Sequence, residues 1–412
     1  MSQFYDQASL VMVPSGYKNG KVYSQKPLSA DGELTFTRAS TATRVNASGL
    51  IESVASGVPR LDYSGGASCP SLLLEPQRTN LVTYSEQFDN AAWSKVNATI
   101  TANDAVSPDG YTNADKLVST GGASRIEIFP TFADNTIYTA SIFAKQGNVD
   151  YIMVNVRDKN NVQHNTYFDL SDGTKGSSNG SPISTSIEAL GDYYRVSITI
   201  DSSSGGTTPR VQYLIANTDN NVVTASGEYI HIYGAQLEQG SYSTSLISTQ
   251  NSAVTRLADS AYKTGISSLI GQTEGTLFAQ VGQFPQESNG RILGISDGTL
   301  SNYIIIIKNS TNTDFAVYAT YSGIAQATYL GTGSLNDNSK IAVGYANNDY
   351  VVYVNGTQVH TDTSASVPTC SNVYIGQREN NTATYIAGGG IKQALLFKTR
   401  LTNAQLAELT TL

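Results

Sequence analysis

Residues 350–359, Tyr350-Val-Val-Tyr-Val-Asn-Gly-Thr-Gln-Val359, read as two alternating strands joined at Asn355-Gly356. That dipeptide accepts the positive φ angles that a type I′ turn demands, and Val352, Val354 and Val359 place apolar residues on either side of it. Outward from the turn, Asn372-Val-Tyr-Ile-Gly376, the glycine-rich Ala387-Gly-Gly-Gly-Ile391 and Gln393-Ala-Leu-Leu-Phe397 continue the β pattern. The chain then reaches Arg400-Leu-Thr-Asn-Ala-Gln-Leu406. Thr402 and Gln405 have the spacing of a capping box, and Leu401 with Leu406 that of a hydrophobic staple, so one short helix is expected after the last strand.

The rest of the chain agrees with an all-β class. At 412 residues it exceeds what one core usually supports, so two or three domains are expected. Only 14% of residues are charged, and short β-propensive segments recur between turn residues. The net charge of −8 comes without any basic block, which argues against a nucleic-acid or anionic-membrane partner. Cys69 and Cys370 lie far apart with no CxxC spacing and are expected as free thiols. With His164, His231 and His360 scattered, no zinc cluster is expected. The N-terminus lacks a basic region followed by an apolar run. No stretch approaches the ~20 apolar residues of a membrane span, and the longest burst, Tyr303-Ile-Ile-Ile-Ile307, is strand-sized. An extracellular-looking composition without a secretion address suits a particle assembled inside a cell and freed by lysis.

Three regions differ in texture. Residues 1–80 are short extended pieces broken by Gly and Pro, with Leu34 and Phe36 alternating against Glu33, Thr35 and Thr37. Such a segment buries too little to fold alone and is expected to wrap on a neighbouring subunit or partner. From 81 to 250 the strands lengthen. In Tyr193-Tyr-Arg-Val-Ser-Ile-Thr-Ile200, Tyr194, Val196, Ile198 and Ile200 share one face, so one face should be packed and the other wet. A junction at 248–262 leads into a last module, 261–412.

The first region carries a specific string. Phe36-Thr-Arg-Ala-Ser-Thr-Ala-Thr-Arg-Val-Asn-Ala-Ser-Gly-Leu-Ile-Glu52, Gly57-Val-Pro-Arg-Leu-Asp-Tyr63 and Pro70-Ser-Leu-Leu-Leu-Glu-Pro-Gln-Arg-Thr-Asn-Leu81 resemble a segment of tailed-bacteriophage head-spike or fibre proteins. The middle region, with Trp93 near its start and Gly234-Ala-Gln-Leu-Glu-Gln-Gly240 near its end, is similar to jelly-roll carbohydrate-binding modules appended to such fibres. The order of strand, NG turn, strand, "YIG", "GGGI", strand and capped helix resembles a laminin-G or concanavalin-A-like sandwich. These resemblances imply an extended N-terminal attachment segment followed by two β-sandwich domains. They imply a virion structural protein, a homotrimer, held to capsid or tail proteins through residues 1–80, with its distal domains on bacterial or mucosal glycans. Leu10-Val-Met-Val13 and Leu72-Leu-Leu74 are the runs expected to bury against the particle.

Concanavalin-A-like folds include glycosidases, whose paired carboxylates occupy one strand in an E-x-D-x-x-E string. No Glu here is followed two residues later by Asp, and no G-x-S-x-G elbow accompanies the histidines, so no catalytic residue is nominated. The alternatives are a purely structural decoration protein and a glycan depolymerase. For sugar binding, aromatic faces and neighbouring polar groups are the relevant chemistry. Trp93 is a candidate platform, though its position also suits a core role. The loops 296–302 and 377–385 nominate Asp297, Asn302, Arg378, Asn380 and Tyr385. The laminin-G resemblance further implies calcium, with Asp297 and Asp349 as candidate ligands.

Overall fold

Alternation of apolar and polar residues carries most of the chain into antiparallel strands. A computed structural model describes residues 2–285, 290–309, 315–331, 335–378, 380, 386 and 388–411. Among these residues the fold is two β-sandwiches with two short helices, the all-β class the sequence implies.

The jelly roll packs two six-stranded sheets. One runs in the order Ser94–Val96, Arg125–Ile128, Arg210–Ala216, Tyr151–Arg157, Gln163–Asp169, Thr174–Asn179. The other runs Ala98–Val106, Thr112–Ser119, Tyr229–Gln239, Ile137–Lys145, Tyr193–Asp201, Ser184–Leu190. Ile126, Ile152, Val154, Phe168 and Tyr213 of the first meet Leu117, Ile142, Val196, Ile198 and Ile232 of the second. The supposedly wet face of Tyr193–Asp201 is not wet, for Ser197 and Thr199 are also buried. Residues 240–244 cross it. Thr139 Oγ1 and Thr199 Oγ1 donate to the carbonyls of Gly240 and Ser241 at 2.9 and 3.3 Å, and Arg195 to Thr244 O at 2.5 Å.

The other sandwich pairs an eight-stranded with a nine-stranded sheet. Its NG turn forms as expected: Asn355 and Gly356 have φ of 48° and 82°, and Val354 pairs with Thr357. The closing helix Asn403–Thr410 has both halves of its capping box, with Gln405 N donating to Thr402 Oγ1 at 3.2 Å and Thr402 N to Gln405 Oε1 at 2.9 Å. Leu401 and Leu406 are buried beneath it. Cys69 and Cys370 are free thiols, and burial pushes the Cys370 thiol well above the ordinary range.

Residues 1–80 depart from expectation in where they lie. They are extended pieces, but they pack on their own chain. Leu10–Met12 and Ser71–Leu74 pair with Gly389–Phe397, while Glu33–Thr37 pairs with Ser260–Lys263 inside the nine-stranded sheet. Leu10, Val11, Met12, Leu72 and Leu74 are buried in these sheets, so the runs assigned to a particle contact are already spent inside the molecule. The hairpin Ala42–Val45/Ile51–Val54 reaches the other way and lays Ile51 against Phe143, Tyr193 and Tyr233 of the jelly roll.

Where the leading segment meets both sandwiches, five charged side chains are buried together. Arg38 donates to Asp259 Oδ1 at 3.0 Å. Arg60 donates to Glu75 at 2.6 Å and also bonds Asp259. Arg256 donates to Glu75 at 2.8 Å and to Thr244 Oγ1 at 3.1 Å, and Thr244 in turn bonds the buried Glu238. Through that hydroxyl, three guanidiniums face three carboxylates. Burial alone would raise the Glu75 carboxyl, but Arg256 and Arg60 outweigh it and hold the group far below the usual range.

A chain beginning at residue 81 lacks the Leu10–Met12, Glu33–Thr37, Arg60–Asp62 and Ser71–Leu74 strands. It is expected to keep a folded jelly roll and lose the second sandwich, seen as rapid proteolysis of the C-terminal half; full protection of both halves would refute this. Glu75→Ala leaves two buried guanidiniums underpaired and is expected to cost about 3–5 kcal/mol. Because Glu75 titrates below its unfolded value of 4.5, its contribution is present above that pH and is lost as pH falls below it. Melting followed by circular dichroism from neutral to acid pH checks both statements, with the acid-induced drop expected to be shallower in the variant.

Candidate functional site

The residues nominated from sequence do not converge. Trp93 is 1% exposed; its Nε1 donates to Tyr84 O at 3.0 Å, and its ring packs on Phe88 and Tyr213. It is a core residue and presents no face to a ligand, which corrects its candidacy as a platform. Asp297 accepts from Thr299 N at 2.8 Å, Thr299 Oγ1 at 2.7 Å and Asn302 Nδ2 at 2.8 Å. Asn302 Oδ1 accepts from Ser322 N at 2.9 Å. Burial would raise the Asp297 carboxyl, but the Thr299 and Asn302 bonds pull it below its ordinary range. These two residues knit their own loop. Asp349, the other calcium candidate, is paired with Arg400 at 2.9 Å. Arg378 and Asn380 follow the opposite end of the strand Asn372–Ile375. Ser296 pairs with Asn372 at one end and Leu293 with Ile375 at the other, so the two loops leave from strand ends ~10 Å apart. Tyr385 lies outside the described residues.

A polar row lies elsewhere, on the outer side of the first jelly-roll sheet. Register places Glu127, Gln212, Asn155, Asn165 and Asn179 side by side on five adjacent strands. The side chains bond in two runs, one from Glu127 through Gln212 to Asn155 and one between Asn165 and Asn179. Gln212 Nε2 donates to Glu127 Oε2 at 2.5 Å, Asn155 Nδ2 to Gln212 Oε1 at 2.6 Å, and Asn179 Nδ2 to Asn165 Oδ1 at 3.2 Å. Asn155 Nδ2 also reaches Gln163 Oε1 at 2.7 Å. Such pairs form because opposite side chains on one sheet face stand ~5 Å apart. Glu127, Gln212 and Asn155 are buried, Asn165 is half-buried, and Gln163 and Asn179 are exposed. Arg125 and Arg210 close on Glu127 at 3.0 and 3.5 Å, and the exposed Phe129 ring lies under Arg210. On the other flank Met153, Leu214, Tyr167 and Tyr151 form an apolar row.

Asn155 Oδ1 is buried with no hydrogen-bond partner, and buried amides without partners are uncommon. An amide row bordered by aromatic and guanidinium groups offers donors and acceptors at a regular spacing beside apolar faces. That is the chemistry that polyhydroxylated ligands need. The sequence signal was present in Tyr151-Ile-Met-Val-Asn-Val-Arg157 and Arg210-Val-Gln-Tyr-Leu-Ile215, where a single amide interrupts each apolar strand.

No family profile and no curated protein matches the chain. Among solved structures it is similar to the CBM40 module of the Ruminococcus gnavus IT-sialidase bound to α2,3-sialyllactose. That match has 15% identity, a TM-score of 0.32, and covers 35% of this chain and 86% of that one. It is also similar to domain 4 of the Geobacillus stearothermophilus arabinanase AbnA in complex with arabinotriose (13% identity, TM-score 0.30, 42% and 83% covered). Mouse laminin α1 domains LG4-5 match at 14% identity with a TM-score of 0.25, covering 68% and 89%.

Asn155→Ala strips Gln212 Oε1 of its donor inside a buried row. The variant is expected to lose about 1–3 kcal/mol. Urea unfolding followed by fluorescence of Trp93, the one tryptophan and a core residue of this sandwich, measures it; an unchanged midpoint would rule out a cohesive role for the row.

Proposed function

We propose that the chain is a structural protein of a tailed-bacteriophage virion, a homotrimeric fibre or spike on head or tail, that adheres to bacterial-surface or mucosal glycans. The amide row across the jelly-roll sheet carries the adhesion reading, because it aligns hydrogen-bonding groups over five strands next to Phe129 and Tyr151. The resemblance of residues 36–81 to head-spike and fibre proteins supports the virion setting. Each copy holds its ligand weakly, and many copies on one particle raise avidity by ~10²–10⁴. Attachment to capsid or tail proteins through residues 1–80 cannot use the buried runs at 10–13 and 72–74. It falls to what that segment leaves outside, above all Leu28, which is 95% exposed.

Two measurements test the reading. Full-length protein on a glycan array is expected to bind, and Gln163→Ala/Asn179→Ala/Phe129→Ala to lose the signal while melting normally. Binding to no glycan would leave a purely structural decoration, and release of reducing ends from host polysaccharide would show a depolymerase. In assembling phage, Leu28→Asp is expected to reduce the copies that co-sediment with particles several-fold; normal incorporation would remove Leu28 from the attachment surface.

A further inference from the structure

Between the hairpin Ala42–Val45/Ile51–Val54 and the jelly roll lies a cleft of about 610 Å³. That volume is within the ~300–1,000 Å³ of small-ligand sites. The hairpin is fixed over it, with Ile51 N donating to Pro108 O at 2.9 Å and Thr43 Oγ1 to Leu246 O at 2.7 Å. Its ionisable lining is acidic: Glu52, Glu86 and Asp109, with no Lys, Arg or His among the lining residues. Two of the three carboxylates have both oxygens engaged. Glu52 accepts from Arg44 at 2.6 Å and Asn46 at 3.1 Å. Asp109 accepts from the Ser107 hydroxyl at 2.6 Å, Tyr111 N at 2.9 Å, Asn113 at 3.0 Å and the Tyr233 hydroxyl at 2.9 Å.

Glu86 differs. Its Oε1 is buried without a hydrogen-bond partner. An unmet buried acceptor costs about 1–3 kcal/mol, more when charged. Burial first, and the Asp109 charge with it, push this carboxyl above its ordinary range, against the pull of the Ser248 and Tyr233 hydroxyls. Elsewhere in the same lining Tyr111, 73% exposed, brings an aromatic side chain to the cleft.

We propose that this cleft binds an amine-bearing sugar, with the ammonium seated among Glu86, Glu52 and Asp109 and the pyranose ring against Tyr111. The unmet acceptor calls for a donor, and an ammonium brings three. The uniform sign of the lining repels acidic sugars, while the face of a tyrosine ring attracts both a cation and the apolar side of a pyranose. The inference rests on the glycan-adhesion reading but assigns a separate site. Of the charged and titratable groups, Asp109 and Tyr233 act on Glu86 directly, while Glu52, itself paired with Arg44, and Tyr111 share the cleft lining. A bound ammonium favours the ionised form of Glu86, so affinity strengthens as pH rises through that group's titration.

Calorimetric titration of the full chain with the trimer of glucosamine, and with its fully N-acetylated counterpart, tests this over pH ~4–6, where amines stay protonated. The free-amine trimer is expected to bind more tightly as pH rises, and the acetylated trimer to bind at least about tenfold more weakly. Glu86→Gln and Tyr111→Ala should each weaken the free-amine trimer by about tenfold or more, and Glu86→Gln should flatten the pH dependence. Tyr111 is exposed, so its variant tests the site even if Glu86→Gln misfolds. Equal affinity for the acetylated trimer, or binding unchanged in both variants, overturns the proposal. Loss of binding in Gln163→Ala/Asn179→Ala alone overturns the cleft and leaves the adhesion reading intact; failure of every saccharide to bind overturns both.

Discussion

The fold depends on a charge cluster that water does not reach. Arg38, Arg60 and Glu75 come from the leading segment, and Arg256 and Asp259 from the chain that leaves the jelly roll, so the cluster closes only when these distant pieces meet. Taking such groups out of water is expensive, and their attraction offsets that expense only with near-complete pairing. A misplaced strand leaves a bare guanidinium in the interior. The cluster therefore selects one arrangement of the pieces more sharply than apolar contact could.

The same joint explains why the leading segment is so broken in sequence. It clamps rather than folds by itself. Its strands complete both sheets of one sandwich, its hairpin covers the other, and Asn80 ties the exit from the segment to the jelly roll. Asn80 Nδ2 donates to Ala235 O and Ile247 O at 3.1 and 2.8 Å, and its Oδ1 accepts from Leu237 N at 3.0 Å. At Gly49, φ of 77° closes the hairpin tip on Asn46 Oδ1.

Local order was the legible part. The NG turn, the capping box and the period-two strands depend on neighbours within a few residues, and each is written in its own stretch. The string 36–81 was conspicuous, but the residues that tie Arg38, Arg60 and Glu75 to the rest of the chain lie about 180 to 220 residues away. No local pattern announces such pairings. For the same reason the segment looked like an arm for another molecule when its place was on its own chain. Trp93 was ambiguous because a tryptophan beside polar residues suits a surface platform as well as a core. The amide row escaped notice because Glu127, Gln212 and Asn155 become neighbours only through strand register. One amide inside an apolar strand is a weak mark until its opposite number is known.

The pairing of Leu10–Met12 with Gly389–Phe397 has a consequence for biosynthesis. The jelly roll is contiguous and can condense while the ribosome is still working. The second sandwich must wait for its penultimate element, tens of seconds after its first has emerged at typical elongation rates. During that interval Leu10, Met12, Leu34 and Phe36 are uncovered, and a chaperone, or crowding by sister chains on the same messenger, has its opportunity there.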